Sequence, residues 1–298
     1  MKKKWLFIVN AAAGRGKTGK KINRLVEVLR KHNLDYEIEL TKTPKHATEL
    51  TIDAIKKGYR KIAAVGGDGT INEIVNGIMS SEKQAEITFA IIPEGGGNDF
   101  AKNFHIPQNI EKAVQLLEAN RIKIVDVGKF DDTYFINSLG VGFDAKAAIN
   151  ASKIKYLNGL LRYYSAILIT LFTNKPYKLK MRLDGEEISD ELLMFSVGNG
   201  RFCGGGFQVT PAAIADDGLL DVCMIKFINR RRIMKLLPTV IPGKHLDYAE
   251  VSTKLVKSIE ITSENDLPLY YDGEIPILKD TKKVGIEVIP QQIKLIVK

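Results

Sequence analysis

Apolar and polar positions over the first 125 residues follow two alternating rhythms. Residues 5–9 are an unbroken apolar run of strand length, as expected for a parallel strand covered on both faces. Ile22, Leu25, Val26 and Leu29 then recur at the spacing of one helix face. Residues 36–40, 62–65 and 89–92 predict three more strands. The sets Ala47/Leu50/Thr51/Ala54, Ile71/Ile74/Val75/Ile78 and Ile110/Ala113/Val114/Leu117 predict three more helices. Strands that alternate with helices of this length imply right-handed crossovers and a doubly wound parallel α/β sheet. Ligands of such sheets bind beyond the carboxyl ends of the strands.

From about Asp126 the rhythm changes. Short apolar runs are punctuated by Asp184-Gly185, Asp217-Gly218 and Asp272-Gly273, all hairpin-type dipeptides, and helical spacing is confined to about residues 152–173 and 230–240. The pattern predicts an α/β domain over residues 1–125, to which residues 290–298 are expected to return. A mainly antiparallel β-sandwich over residues 126–289 follows. The junction at residues 121–126 is too short to be a flexible linker.

Composition narrows this picture only a little. The 298 residues, 45% hydrophobic and 27% charged, suffice for two buried cores. Cys203 and Cys223 have neither metal-ligand nor CxxC spacing, which argues against a disulfide framework and for a reducing, cytoplasmic setting. The apolar run after Met1-Lys-Lys-Lys stops at Asn10, too short for a secretory signal core. The later apolar stretch at residues 165–172 is far short of the roughly 20 residues of a membrane span, so a chain that does not cross a membrane is expected. The net charge of +9 points to a polyanionic partner (nucleic acid, an anionic lipid surface or a phosphorylated substrate) or simply to a solvated basic surface. Aromatic residues are not interleaved with the basic ones, which disfavours nucleic acid.

The chemistry concentrates in glycine loops. Gly66-Gly67-Asp68-Gly69-Thr70 directly follows a predicted strand and directly precedes a predicted helix. Glycines there let backbone approach a bulky anion, and the helix start offers free N–H groups. An acid inside such a cradle implies a Mg²⁺ ion or a proton to accept, so Asp68 is a candidate catalytic residue. Asn72, Glu73 and Asn76 lie off the apolar face of that helix and either support the loop or face solvent. A second loop, Gly95-Gly96-Gly97-Asn98-Asp99, follows the next strand, although Asn98 or Asp99 can also be a simple helix cap. A third, residues 10–17, lacks the spacing of a Walker A motif. Thr41 closes the second strand at the same edge. In the second half, Gly198-Asn-Gly-Arg201 and Gly204-Gly-Gly206 precede Asp216-Asp217-Gly218, which reads locally as a capped turn. Asp272-Gly273 is first of all a tight hairpin, and that turn would hold Asp272 and Glu274 exposed, where a base is useful.

Taken in order, Gly66-Gly67-Asp68-Gly69-Thr70 with Asn72-Glu73, Gly95-Gly-Gly-Asn98-Asp99-Phe100-Ala101, Gly198-Asn-Gly-Arg201, Asp217-Gly-Leu-Leu-Asp221 and Asp272-Gly-Glu274 resemble the diacylglycerol kinase catalytic family, in its soluble bacterial branch. The resemblance covers essentially the whole chain. It implies an ATP- and Mg²⁺-dependent lipid kinase. ATP would be bound by Asn10, Ala11, Ala12, Ala13 and Gly14, by Thr41, by Gly66, Gly67, Asp68, Gly69, Thr70, Asn72 and Glu73, and by Gly95, Gly96, Gly97 and Asn98. Asp272 or Glu274 would be the base toward the lipid hydroxyl. A structural Mg²⁺ would take the Asp217 carboxylate with backbone oxygens of Ile214 and Leu219. The partners implied are a membrane lipid substrate and, transiently, the anionic inner face of the membrane; by their own pattern the apolar-plus-basic residues 153–172 and Arg230-Arg-Arg232 either contact that membrane or are packed helices with a solvated face. No nucleic acid is implied, and a homodimer is left open. Gly96 stands where the family usually has threonine, which removes a hydroxyl donor. More distant alternatives are an NAD kinase-like phosphotransferase and a catalytically weak lipid- or nucleotide-sensing regulator.

Overall fold

The computed structural model describes residues 4–154, 156–157, 159–173, 175–276 and 280–298. The chain forms two compact units, residues 1–126 with 291–298 and residues 127–290.

The first unit runs β1 (Trp5–Val9), α1 (Lys17–Lys20), α2 (Ile22–Lys31), β2 (Tyr36–Leu40), α3 (His46–Lys56), β3 (Lys61–Gly66), α4 (Asp68–Met79), β4 (Thr88–Pro93), α5 (Asp99–Asn103) and α6 (Ile110–Ala119). The strands pair in parallel in the order β2-β1-β3-β4. All five residues of β1 are buried, which is why it carries no polar alternation. One sheet face packs Phe7, Val9, Ala63, Val65 and Ile92 against Leu25, Val28 and Leu29 of α2 and Val114 and Leu117 of α6. The alternate residues Leu6, Ile8, Ile62 and Ala64 are buried on the other face. Helix α2 ends where Asn33 adopts a left-handed φ of 48°, a conformation asparagine tolerates better than most residues.

The second unit comprises the end of β5 (Ile122–Phe130), then β6 (Thr133–Phe135), β7 (Ser138–Gly142), α7 (Phe143–Lys153), α8 (Gly159–Thr173), β8 (Tyr177–Leu183), β9 (Glu186–Gly198), β10 (Phe202–Cys203), β11 (Phe207–Gln208), β12 (Leu220–Lys226), α9 (Arg230–Val240), β13 (Val251–Val256), β14 (Ser258–Thr262), β15 (Leu269–Tyr271) and most of β16 (Lys283–Ile296). β16 then crosses into the first unit, where Lys294 and Leu295 pair in parallel with β4. This is a mainly antiparallel β-sandwich. The 13-residue β9 makes it possible: its first half pairs with β8, and its second half pairs with β7 on one side and β12 on the other.

Three expectations need correction here. The helix expected over 152–173 is two helices, because the backbone leaves the helical region at Ile154. Residues 155 and 158, which fall inside that expectation, lie outside the described residues. Helix α7 escaped the pattern because its inner face is Phe143, Ala147 and Ala151, small residues that register weakly as apolar periodicity. Asp217-Gly218 is not a hairpin: it is a turn before β12, and β11 and β12 do not pair. Asp184-Gly185, by contrast, is the two-residue β8–β9 hairpin, with φ of 48° and 90° as a type I′ turn requires. Cys203 and Cys223 are free and buried. Among the described residues no helix is long and apolar enough to cross a membrane.

Candidate active site

Three loops at the carboxyl edge of the parallel sheet are stitched into one cluster. The Asn10 side chain leaves the end of β1 and donates from Nδ2 to Thr70 Oγ1 at 3.1 Å, while its Oδ1 accepts from Ala12 N at 3.1 Å. That fixes Ala11, Ala12 and Ala13 relative to the start of α4. Thr18 Oγ1 contacts the carbonyl oxygens of Ala13 and Glu94 at 3.1 and 3.0 Å, and Lys21 pairs with Glu94 at 2.6 Å. The loop after β4 is thereby tied to the loop after β1. Gly14 sits in the same seam, where a Cβ would stand 2.9 Å from the Glu94 carbonyl oxygen.

The second and third loops touch backbone to backbone. A Cβ on Gly95 would lie 2.3 Å from Gly67 Cα, so any side chain at Gly95 would push the loops apart. Asn98 closes its loop by accepting from Gly95 N at 2.8 Å and donating to Gly95 O at 3.1 Å. Its φ of 52° puts it in the left-handed region, and so it precedes α5 without acting as a side-chain cap. Asp68 links the two loops by accepting from Phe100 N at 3.1 Å. Gly67 caps α4 and makes no side-chain cap hydrogen bond to the first N–H groups of this helix. The arrangement presents Gly66, Gly67, Gly69, Gly96, Gly97 and a helix N-terminus around one carboxylate, which suits a phosphate group accompanied by a cation.

Several expected residues have other employment. Glu73 accepts from Lys45 N and Ala47 N at 2.9 and 3.0 Å, so its carboxylate serves the start of α3 and not the loop cluster. Asn72 is buried and not solvent-facing, and Asn76 Nδ2 holds it through its carbonyl and Oδ1. Thr41 ends β2 at the same sheet edge, half-buried, with its N–H on Val9 O. Gly96 is exposed, and a Cβ built there meets no atom within 4 Å.

In the second unit Asp272-Gly273 is a tight turn, with φ of 44° and 92° and Tyr271 bridged to Glu274. The expectation of an exposed Asp272 fails: it is only 2% exposed. Its carboxylate accepts from the backbone N–H groups of Ile136, Asn137 and Ser138 at 2.7, 3.0 and 2.9 Å. The Gly198-Asn-Gly motif grips the same segment from its carbonyl side. Asn199 Nδ2 donates to Ile136 O at 2.7 Å, and Asn199 N and Gly200 N both donate to Asn137 O at 2.9 Å. Two motifs distant in sequence therefore clamp one three-residue segment. Asp272 is a structural anchor, and the exposed carboxylate of the turn is Glu274. Asp217 is exposed and accepts from Leu219 N at 3.0 Å, an Asx turn. Burial, and then the Asp217 charge, push the Asp221 carboxyl up to about 6, with Arg201 opposing them.

Comparison with known proteins is consistent along the whole chain. The diacylglycerol kinase catalytic domain matches residues 4–130, and the YegS C-terminal NAD kinase beta sandwich-like domain matches residues 137–297. A diacylglycerol kinase of Mycobacterium tuberculosis (strain CDC 1551 / Oshkosh) is 30% identical over 275 residues, 90% of this chain and 87% of that one. The chain belongs to the diacylglycerol kinase family of lipid kinases. Another relative of that name, from Staphylococcus carnosus (strain TM300), is 29% identical over 92% of this chain and 89% of its own. A crystal structure of a diacylglycerol kinase from Bacillus anthracis str. Sterne matches with a TM-score of 0.81 at 29% identity, covering 100% of this chain and 99% of that one.

Sequence reasoning missed several residues of this family member's sites. Thr18 and Lys21 lie outside the glycine motifs and carry no spacing signal, yet with Glu94, which the second glycine loop includes, they hold the loops after β1 and β4 together. Asp144 was missed as well. It is partly buried beside Ser196, whose Oγ–H donates to it, and Ala145 N donates to its other oxygen at 2.8 Å. Desolvation outweighs those bonds and that of its own amide and pushes its carboxyl up to about 7.

Proposed function

We propose that this family member transfers the terminal phosphoryl group of ATP to the hydroxyl of a membrane lipid, diacylglycerol first among them, giving phosphatidic acid. The observation that carries the reading is the cross-linked cluster of three loops around Asp68 and the start of α4. Phosphoryl transfer asks mainly for alignment and charge neutralisation, which backbone N–H groups and a carboxylate with its cation supply. The names of the relatives support diacylglycerol as the acceptor.

The residues divide the work as follows. Backbone groups of 66–70 and 95–97 and of the loop after β1 hold the phosphates and keep them in line. Asp68 offers its carboxylate to Mg²⁺, an ion that supplies positive charge against the phosphate oxygens. Glu274, the exposed carboxylate of its turn, accepts the proton of the lipid hydroxyl. Asp272 fixes that turn by its three amide bonds and is a positioning residue. The Asp217 carboxylate with the carbonyl oxygens of Ile214 and Leu219 is an all-oxygen donor set that suits a second, structural Mg²⁺. Mutual repulsion of Asp217 and Asp221 at that turn fits a cation there.

The test is transfer of labelled phosphate from ATP with Mg²⁺ to diacylglycerol, monoacylglycerol, phosphatidylglycerol, sphingosine and ceramide in mixed micelles, with NAD as control. Labelled lipid that disappears in Glu274→Gln supports the reading. Labelled NAD, or ATP binding with no lipid product, overturns it.

A further inference from the structure

The two faces of strand β7 meet different surroundings. Leu139 and Val141 join Phe195 and Val197 of β9 in an apolar core. Ser138 and Gly140 alternate with them and so face the other way, beside their β9 partners Gly198 and Ser196. On this second face Asp144 folds back across β7. A Cβ on Gly140 would stand 2.2 Å from Asp144 Oδ2, so it is glycine at 140 that lets this carboxyl reach the Ser196 hydroxyl.

A cavity of about 10 Å³ lies against this face, with Ser138, Asp144, Ser196, Gly200 and Thr210 among its walls. Thr210 Oγ1 donates to Gly200 O at 2.9 Å, and Ser196 Oγ donates to Asp144. Ser138 is only 8% exposed, and its Oγ has no hydrogen-bond partner among the described residues. A buried hydroxyl left unpaired is destabilising. The volume is about that of one water molecule and too small for any part of a lipid. Ser138, Asp144 and Ser196 supply the two to four polar partners that a buried water needs.

These groups stand behind the turn that carries Glu274. Ser138 N donates to Asp272 Oδ1 at 2.9 Å, and Ser138 O accepts from Asp272 N at 3.0 Å. Strand β15, which leads into that turn, pairs with β7 through Tyr270 and Gly140. Whatever fixes Ser138 therefore also fixes the Glu274 turn.

We propose that one water molecule is bound in this cavity by Ser138 Oγ and the Asp144–Ser196 pair, and that Asp144 acts through it as a positioning residue for Glu274. The inference rests on the proposed role of Glu274 and is tested in two steps. Crystals of the full chain that resolve solvent should show one water within about 3 Å of Ser138 Oγ and of the Asp144 or Ser196 side chain. A dry cavity, or a Ser138 hydroxyl bonded to another protein atom, overturns the proposal. Kinetics toward diacylglycerol then test the positioning. Ser138→Ala and Asp144→Ala should each lower kcat roughly three- to tenfold, as loss of one hydrogen bond allows, with the KM for ATP unchanged. The double variant should be no slower than the slower single one, because both break the same link. Asp144→Asn keeps a donor and an acceptor and should restore most of the turnover that Asp144→Ala loses. Ser138→Ala removes a single atom, and thermal melting checks that each variant is folded. Variants that turn over like wild type overturn the positioning role, as do effects that multiply in the double variant or an Asn variant as slow as the Ala one. Wild type that holds the water yet phosphorylates no lipid would sink the kinase reading and, with it, the positioning role, and leave the water site standing. Wild type that phosphorylates lipid over a dry cavity would sink this inference alone.

Discussion

Asp68-Gly69 and Asp272-Gly273 are the same dipeptide put to opposite uses. Asp68 opens a helix, is half-buried, and accepts from the backbone amide of Phe100 at 3.1 Å. Asp272 occupies a left-handed turn position, is buried, and takes three amides from one segment. A carboxylate that receives three amides is satisfied as an anion by the protein itself. A half-buried carboxylate in a nest of glycines is still reachable by a cation. Asp144 makes a third case, less covered than Asp272 and held by Ser196 and by backbone amides at its helix start, and there desolvation wins and the proton stays on. Which groups meet an aspartate, set against how far it is withdrawn from water, decides whether it anchors, reacts or goes neutral.

The comparison is broken most forcefully at its catalytic end. Glu274→Gln should lower turnover by about 10²–10⁴-fold, as loss of a general base does, with thermal stability unchanged. Asp68→Asn should cost about 10²–10³-fold in turnover for want of a charge beside the phosphates. If Asp68→Asn instead unfolds the protein and keeps its specific activity, the contrast with Asp272 collapses.

Asp272→Asn tests the anchor. One oxygen becomes an NH₂ group facing an amide that donates, and a charge-assisted bond is worth ~1.5–3 kcal/mol. The expected result in urea unfolding is a loss of about 3 kcal/mol, with lipid turnover per folded molecule falling far less than in Glu274→Gln. The reverse pattern would return Asp272 to the chemistry.

The third aspartate sharpens the rule through pH. Its folded carboxyl is raised to about 7 against an ordinary 3.8, so the native state keeps a proton that the unfolded chain has lost. Its stabilising contribution is fully present below about pH 4 and is lost as pH rises toward 7, at up to ~1.4 kcal/mol per pH unit. Asp144→Asn should flatten that slope in urea titrations, and equal slopes for both proteins would show that burial does not dominate there. The smallest effect is expected at Gly96→Thr. A Cβ meets nothing within 4 Å there, so the loops should keep their shape. A regained hydroxyl bond worth ~0.5–1.5 kcal/mol should lower the KM for ATP by up to about tenfold.

Local sequence carried much of this. Unbroken apolar runs specified β1, β3 and β4, helix-face spacing specified α2, α4 and α6, and Asp184-Gly185 specified its hairpin, because strand burial, helix period and left-handed turn residues are local constraints. The glycine loops were legible for the same reason, since they follow strand ends. Only the tertiary structure decided where each carboxylate's hydrogen bonds go. It sent Glu73 to the start of α3, sealed Asp272 under residues 136–138, left Glu274 exposed, and set Asp144 against Ser196. It also brought Phe172 under Arg230 across a gap of 58 residues. Donor counts and burial depend on chain segments far apart in sequence, and no local pattern of residue types records which of them meet.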